Sequence, residues 1–343
     1  MGLKEFARNG LNAALDMAPL RGAAKFIATN DAIIFMMHRF EQPELGVEGH
    51  DPDFLRDCLD YLRRRRFNLV SVEQIVTAAR AGNRIKNAVS FTVDDGYLDH
   101  ALVGASVFAE YECPATFFLI TDFVDGSYWP CDAKIAYILR TSARNRFEWQ
   151  QGTRSFAINL ETPEARKQSV RAMVWATKAT AVEQLEADVA DLAGTAGVEL
   201  PALPPPGYRP MTWQDARRIE AMGMRLGAHS CRHVLLRAES DEVAEREIRH
   251  SVAKVASQVQ RSSPIFCYPT GRYSDFGERD KSIAQATGCI GAVSAEPGYF
   301  NPRTIGNYGG YYSIPRFGMP ANLEDFRQTV LYIEKMKSAM RNP

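Results

Sequence analysis

No two of the chain's six cysteines (Cys58, Cys113, Cys131, Cys231, Cys267 and Cys289) form a C-x-x-C pair or stand in close spacing. That scatter excludes a disulfide framework and a thiolate zinc site. Charge of one sign is also missing: Lys+Arg and Asp+Glu each number 41 in 343 residues. Nothing in that balance points to nucleic acid or to an acidic lipid surface. The one dense basic cluster, Arg63 to Arg66, closes an amphipathic helix, where cations suit the negative end of the helix dipole. No apolar run reaches membrane-spanning length, and the opening MGLKEFARNGLNAALDMAPLRGAAKF lacks the unbroken apolar core of a signal peptide. A cytoplasmic location is the expectation. Residues 1–30 read as an amphipathic helical segment, with Leu3, Phe6, Leu11 and Leu15 apolar and Lys4 and Arg8 polar. Such a segment packs on its own domain or rests peripherally on the inner membrane surface.

What is present is ordinary globular material, 45% hydrophobic and 24% charged. Ala32–Met37, Asn68–Val72, Ala88–Val93, Ala115–Ile120, Met224–Ala228, Ile265–Tyr268 and Cys289–Ser294 read as short, fully buried strands. Helical patterns separate them. Asp51-Pro52 offers an N-cap and a first-turn proline before Leu55, Leu59 and Leu62, and Ile248, Val252, Val255 and Val259 form a helical stripe. This alternation implies parallel pairing in an open sheet or a barrel. It breaks between Ile120 and Met211, where a helical stretch from Pro163 to Leu192 precedes the stiff connector PALPPPGYRP. Residues 121–210 are therefore expected to form an inserted helical subdomain.

Functional groups in parallel α/β folds gather where strands end. Asp94 and Asp95 stand together at one such end, and Gly96 lets the chain turn there. An Asp-Gly turn with a helix cap is the plain alternative. The next strand end, GAHSCRH, supplies His229 and His233, whose spacing allows two imidazoles to converge on one ion from a helical turn or a tight loop. One carboxylate completes an Asp-His-His set that suits zinc and leaves room for water and substrate. The other aspartate is then free to act as a general base toward a water acidified by the ion. A third strand end, IFCYPTGRY, turns at Pro269 and Gly271 and can present amides to a ligand.

In that order, Val93-Asp94-Asp95-Gly96, His229-Ser230-Cys231-Arg232-His233 and Phe266-Cys267-Tyr268-Pro269-Thr270-Gly271 resemble the polysaccharide deacetylase family with its NodB-homology domain, carbohydrate esterase family 4-like. PATFFLI at 114–120 and MTWQDARRIEAMGMRLGAHS at 211–230 extend the match. The resemblance implies a distorted (β/α) barrel of seven or so parallel strands over residues 31–320, carrying the 121–210 insertion and followed by a C-terminal helix at 321–343. It implies Asp94 as general base, and Asp95, His229 and His233 as ligands of Zn2+ or another divalent transition metal. It also implies that a backbone amide, here from Thr270, holds the oxyanion. Tyr268 and Pro269 are expected to line the substrate.

The chain departs from the family pattern twice. An arginine often precedes the third-motif proline, whereas here Phe266, Cys267 and Tyr268 stand before it and Arg272 follows. The late leucine-histidine motif, source of the general acid, is absent, since no histidine lies beyond His250. His250 falls opposite the Ile248–Val259 stripe and should face solvent. His38 is the replacement candidate, because IIFMMHRF ends the first strand and first and last strands adjoin in a closed barrel. Arg39 and Arg316 are expected to orient carboxylates from behind. Trp129, with Tyr128 in DGSYWPCD, is expected to stack on a sugar face, and Asp99 to face solvent. His50 and His100 have no partner pattern.

The leading reading is a metal-dependent deacetylase acting on the N-acetyl group of an amino sugar, in a glycan or glycan precursor of polysaccharide biosynthesis. The alternatives are a catalytically silent glycan-binding protein on the same fold, and the same chemistry on an O-acetyl ester or a non-sugar amide. An N-acetylated carbohydrate is the expected partner.

Overall fold

Short apolar runs without alternation become strands covered on both faces. The computed structural model describes residues 31–332 apart from Ala179 and Gly309, so the amphipathic segment expected at 1–30 lies outside the described residues. β1 (Ile33–Met37) leads to α1 (Pro52–Arg64), capped by Asp51, which accepts from the Asp53 amide and starts the helix ahead of Pro52. Leu55, Leu59 and Leu62 are buried there as their spacing predicts. β2 (Asn68–Leu69) and α2 (Val72–Arg80) follow, the latter begun by a capping box between Ser71 and Gln74. β3 (Ala88–Asp95) is buried along its whole length and precedes α3 (Ala105–Glu110), β4 (Thr116–Leu119) and the single turn α4 (Thr121–Val124).

The insertion then intervenes: α5 (Cys131–Thr141), β5 (Arg146–Gln151), β6 (Arg154–Asn159), α6 (Pro163–Thr177) and α7 (Val182–Ala196). It is not purely helical as expected. Phe147 and Trp149 alternate with polar residues, as do Phe156 and Ile158, and Gly152 at φ +57° makes the turn. The result is an antiparallel hairpin in which Trp149 stacks on Phe156 at 5.6 Å between ring centres. The long helix expected from Pro163 to Leu192 is also broken, with α6 ending at Thr177 and α7 beginning at Val182. This subdomain has its own apolar core, built on Ile138, Leu139, Trp149 and Leu192. The proline-rich connector returns the chain to the barrel, where the Met211 amide donates to the Gly96 carbonyl.

The remaining elements are α8 (Trp213–Ala221), β7 (Arg225–Ala228), α9 (Asp241–Gln258), β8 (Ser262–Cys267), α10 (Glu278–Ala286), β9 (Gly291–Val293), β10 (Phe317–Gly318) and α11 (Leu323–Val330). The main sheet runs β10-β1-β3-β4-β7-β8-β9, with β2 paired to the start of β3 and every pairing parallel. Ile314 bridges Val293 of β9, while Phe317 and Gly318 pair with β1. The stretch 314–318 thus joins the two edges of the sheet into a distorted barrel, and Arg316 lies in the seam.

His100, without a partner pattern in sequence, is fully buried and hydrogen-bonds the His38 carbonyl through Nε2. Burial holds its ring pKa down to about 4. The unfolded chain takes up this proton near pH 6.5, so this histidine withdraws stability as the pH falls from about 6.5 to about 4. His100→Gln should remove up to about 3 kcal/mol of that dependence. Urea midpoints of both proteins across this range check it: parallel curves would contradict a neutral, buried ring.

Candidate metal centre and active site

Side chains alternate along β3, so Thr92 and Asp94 share one side. Both meet Arg316. Its Nη1 donates to Thr92 Oγ1 at 2.9 Å and to Asp94 Oδ1 at 2.8 Å, and Nη2 donates to Asp94 Oδ2 at 2.8 Å. Nε donates to the Ser294 carbonyl, so the guanidinium is held on every edge. Asp94 and Arg316 are both almost wholly buried. Burial alone would raise the Asp94 carboxyl, but the guanidinium overrides it and holds the group well below the usual carboxylate range. Cys267 Sγ completes this layer, 3.4 Å from Asp94 Oδ2 and 3.3 Å from Arg316 Nη2.

Asp95 points elsewhere. Its backbone has φ +93° and Gly96 follows at φ +94°, which swings the carboxylate toward the end of β7. Oδ1 lies 3.6 Å from His229 Nε2 and 3.7 Å from His233 Nε2. It is buried and has no hydrogen-bond partner among the described residues. The expected spacing of the histidines is realised as a tight loop, not a helical turn: Ser230 and His233 have φ +61° and +57°. The Ser230 hydroxyl accepts from the His233 amide, and the carboxylate of Glu247 on α9 accepts from the amides of Cys231 and Arg232 and from Arg232 Nε. His229 Nδ1 meets the Cys267 carbonyl at 2.9 Å, which fixes its proton there and leaves Nε2 a free lone pair. Burial lowers the His229 pKa to about 3, so the ring is neutral near pH 7.

The site fits a divalent cation. One carboxylate oxygen and two ring nitrogens converge within 4.8 Å of one another. The orphaned Asp95 oxygen is the partner such an ion would satisfy. Asp94 is instead paired bidentately with Arg316, and it is Asp95 whose oxygen faces both histidine nitrogens.

The third strand end supplies Thr270, at φ +57°, followed by Gly271 at φ +70°. A Cβ on Gly271 would stand 2.8 Å from the Ala295 amide nitrogen, so only glycine fits this turn. The turn is staked by Asp275, whose Oδ2 accepts from the Thr270 hydroxyl at 2.6 Å, the Arg272 amide at 2.9 Å and Lys178 Nζ at 2.7 Å. The Thr270 amide donates to no group among the described residues. Among the described residues, four of the eight non-glycine residues with positive φ (Asp95, Ser230, His233 and Thr270) belong to this one site, a concentration of backbone strain typical of functional centres.

His38 is exposed at the end of β1, near enough to act on both aspartates; burial nevertheless raises the Asp95 carboxyl above its usual value, and His38 opposes that rise only in part. Arg39 does not reach them. It donates to Asp99 at 2.9 Å and to the Gly207 carbonyl at 2.8 Å, tying the barrel to the insertion's connector. Asp99 is accordingly buried, not solvent-facing as expected, because it also accepts from the Phe40 amide. His250 faces solvent, as its position on α9 predicts. Arg272 is turned outward to Glu296, so it does not stand in for the missing motif arginine; Arg316 contacts Asp94 instead. Three expected substrate contacts are covered. Trp129 packs against Tyr137 and Tyr208, Tyr268 stacks on Phe276 at 3.9 Å, and Pro269 is buried, so none offers an open face to a sugar.

A family model for polysaccharide deacetylase matches residues 81–286, more than half of the chain. The chain belongs to the polysaccharide deacetylase family. The reaction class that goes with this family is hydrolysis at a carbon–nitrogen bond, with an acetylated carbohydrate as substrate. Its fold is similar to the Streptococcus pyogenes deacetylase PplD in complex with acetate, at TM-score 0.57 and 15% identity over 88% of this chain and 99% of that one. It is similar also to IcaB from Ammonifex degensii, at TM-score 0.54 and 12% identity over 88% and 97%, and to a de-N-acetylase from Aggregatibacter actinomycetemcomitans, at 0.52 and 12% over 87% and 100%. No curated protein sequence matches the chain. Glu247 and Asp275 were not singled out from sequence: no motif surrounds either, and each acts only by holding a turn brought near by the fold.

Proposed function

We propose that the deacetylase is a zinc-dependent amidohydrolase that removes the acetyl group from an N-acetylated amino sugar in a glycan or glycan precursor. The observation that carries this reading is the unpartnered, buried Asp95 oxygen facing two histidine nitrogens, beside an Asp94 already locked to Arg316. Asp95, His229 and His233 would hold the ion, which when bound supplies Lewis acidity to a water and to the scissile carbonyl. Asp94, kept ionised by Arg316, takes the proton from the attacking water. The Thr270 amide donates to the developing oxyanion. His38, exposed and adjacent, gives a proton to the departing amine. The Aggregatibacter protein's description as a de-N-acetylase favours amide over ester as the bond cut.

The test measures metal by elemental mass spectrometry after zinc reconstitution and desalting, together with acetate release from N-acetylated amino sugars. Wild type should keep about one zinc per chain, and His233→Ala should lose both the metal and the acetate release. A wild type without stoichiometric metal would overturn the reading and favour a silent glycan-binding protein.

A further inference from the structure

Beside the metal centre lies a cavity of about 540 Å³ between the barrel and the insertion. His233 and Thr270 line its barrel end; Ile135, Val174, Leu185 and Leu235 line the rest, and Trp175 stands largely exposed at its edge. His38, Asp94, Asp95 and His229 do not border it. Its charged neighbours are mostly committed elsewhere: Lys178 to Asp275, Arg232 to Glu247, and Glu239 to the Val182 amide. Asp132 and Arg171 also border it, and Arg232 Nη2 has no hydrogen-bond partner among the described residues, but most of the lining is apolar.

We propose that this cavity receives the hydrocarbon chain of an acyl group longer than acetyl, so that the enzyme hydrolyses N-acyl amino sugars of medium chain length. The proposal rests on the amidohydrolase reading and deepens it. In that reading the acyl carbonyl sits between the metal ligands and the Thr270 amide, and its nitrogen faces His38. The substituent on the carbonyl carbon is then directed away from His38, toward the side on which His233 and Thr270 open into the cavity. A methyl group needs about the room of a water, whose share of liquid volume is about 30 Å³. The cavity is an order of magnitude larger, falls in the usual range for ligand pockets and is lined mainly by apolar side chains. The balance is that of amide hydrolysis: water adds to the carbonyl carbon, the C–N bond breaks, the nitrogen takes a proton, and a medium-chain carboxylate and a free amine leave.

The product series tests this without turnover. Isothermal titration of the zinc-reconstituted protein with acetate, butyrate, hexanoate and octanoate should show Kd falling about fourfold per methylene, the equivalent of about 0.8 kcal/mol per buried CH2. Val174→Phe and, separately, Leu185→Phe, which fill the cavity, should flatten that series. Affinity that is level or falls beyond acetate would overturn the proposal. Hydrolysis of N-acetyl and N-octanoyl glucosamine, run alongside, separates the two readings. Acetate release with a level binding series defeats only the acyl-chain proposal. Chain-length-dependent binding with neither amide cleaved keeps the cavity as an acyl-chain site and defeats the amidohydrolase, and with it the proposed hydrolysis.

Discussion

Zinc-loaded Asp94→Asn protein should bind as much metal as wild type and release acetate about 10²–10⁴-fold more slowly, the usual contribution of a positioned general base. The metal should stay because Asp95, not the Arg316-paired Asp94, supplies the oxygen that faces both His229 and His233. Turnover should go because an amide cannot accept the water's proton. Elemental analysis and an acetate assay on the same sample check both halves. Full turnover would remove Asp94 from the mechanism, and lost metal would mean that the two aspartates have exchanged roles. Asparagine also turns an N–H toward one Arg316 nitrogen, leaving a buried cation half-partnered, so the comparison requires a urea curve showing that the variant is folded.

The same pair gives the largest expected change in stability. Arg316→Met strips Asp94 of its counter-ion where neither group reaches water, and breaking a buried pair in this way costs about 3–5 kcal/mol. It also leaves Thr92 and the Ser294 carbonyl without their donor. The sign of the pH effect follows from the causes of the Asp94 shift: with the guanidinium gone, burial pushes the carboxyl up instead of being overridden. Any residual activity should then need a higher pH than in wild type, because the base is ionised only above its raised pKa. Adding Asp94→Asn to Arg316→Met should recover part of the lost stability, since the uncompensated charge disappears. Additive costs in urea denaturation would show that the two side chains are energetically independent.

Strand positions were readable because strands buried on both faces are unbroken apolar runs, and the expected ones all carry strand residues in the barrel. The β5–β6 hairpin was missed for the opposite reason. Its alternating Phe147, Trp149, Phe156 and Ile158 are diluted by polar partners and surrounded by helical sequence. Residues of the three strand-end motifs are brought together as their order along the chain implied, since parallel strands deliver their ends to one rim. Asp99 was misjudged because its partners, Arg39 and the Phe40 amide, lie about 60 positions away. Arg316 was visible as a candidate, but its bidentate grip on Asp94 spans 222 positions and no local pattern encodes it. Cys267 lies in contact with this guanidinium, 3.3 Å from Arg316 Nη2, and the cation arrives from the residue just before β10.

The seam at 314–318 has a consequence in time. A ribosome delivers Asp95, His229 and His233 before Arg316, and those three residues need β3, β4 and β7 paired with Glu247 of α9 and the Cys267 carbonyl of β8 behind the histidines, all of which also precede Arg316. Aiming of Asp94 waits for the final stretch to zip between β9 and β1. A nascent chain would therefore gain the means to capture an ion before it gains a working base, and its hydrolytic power would be switched on by the same event that closes its barrel.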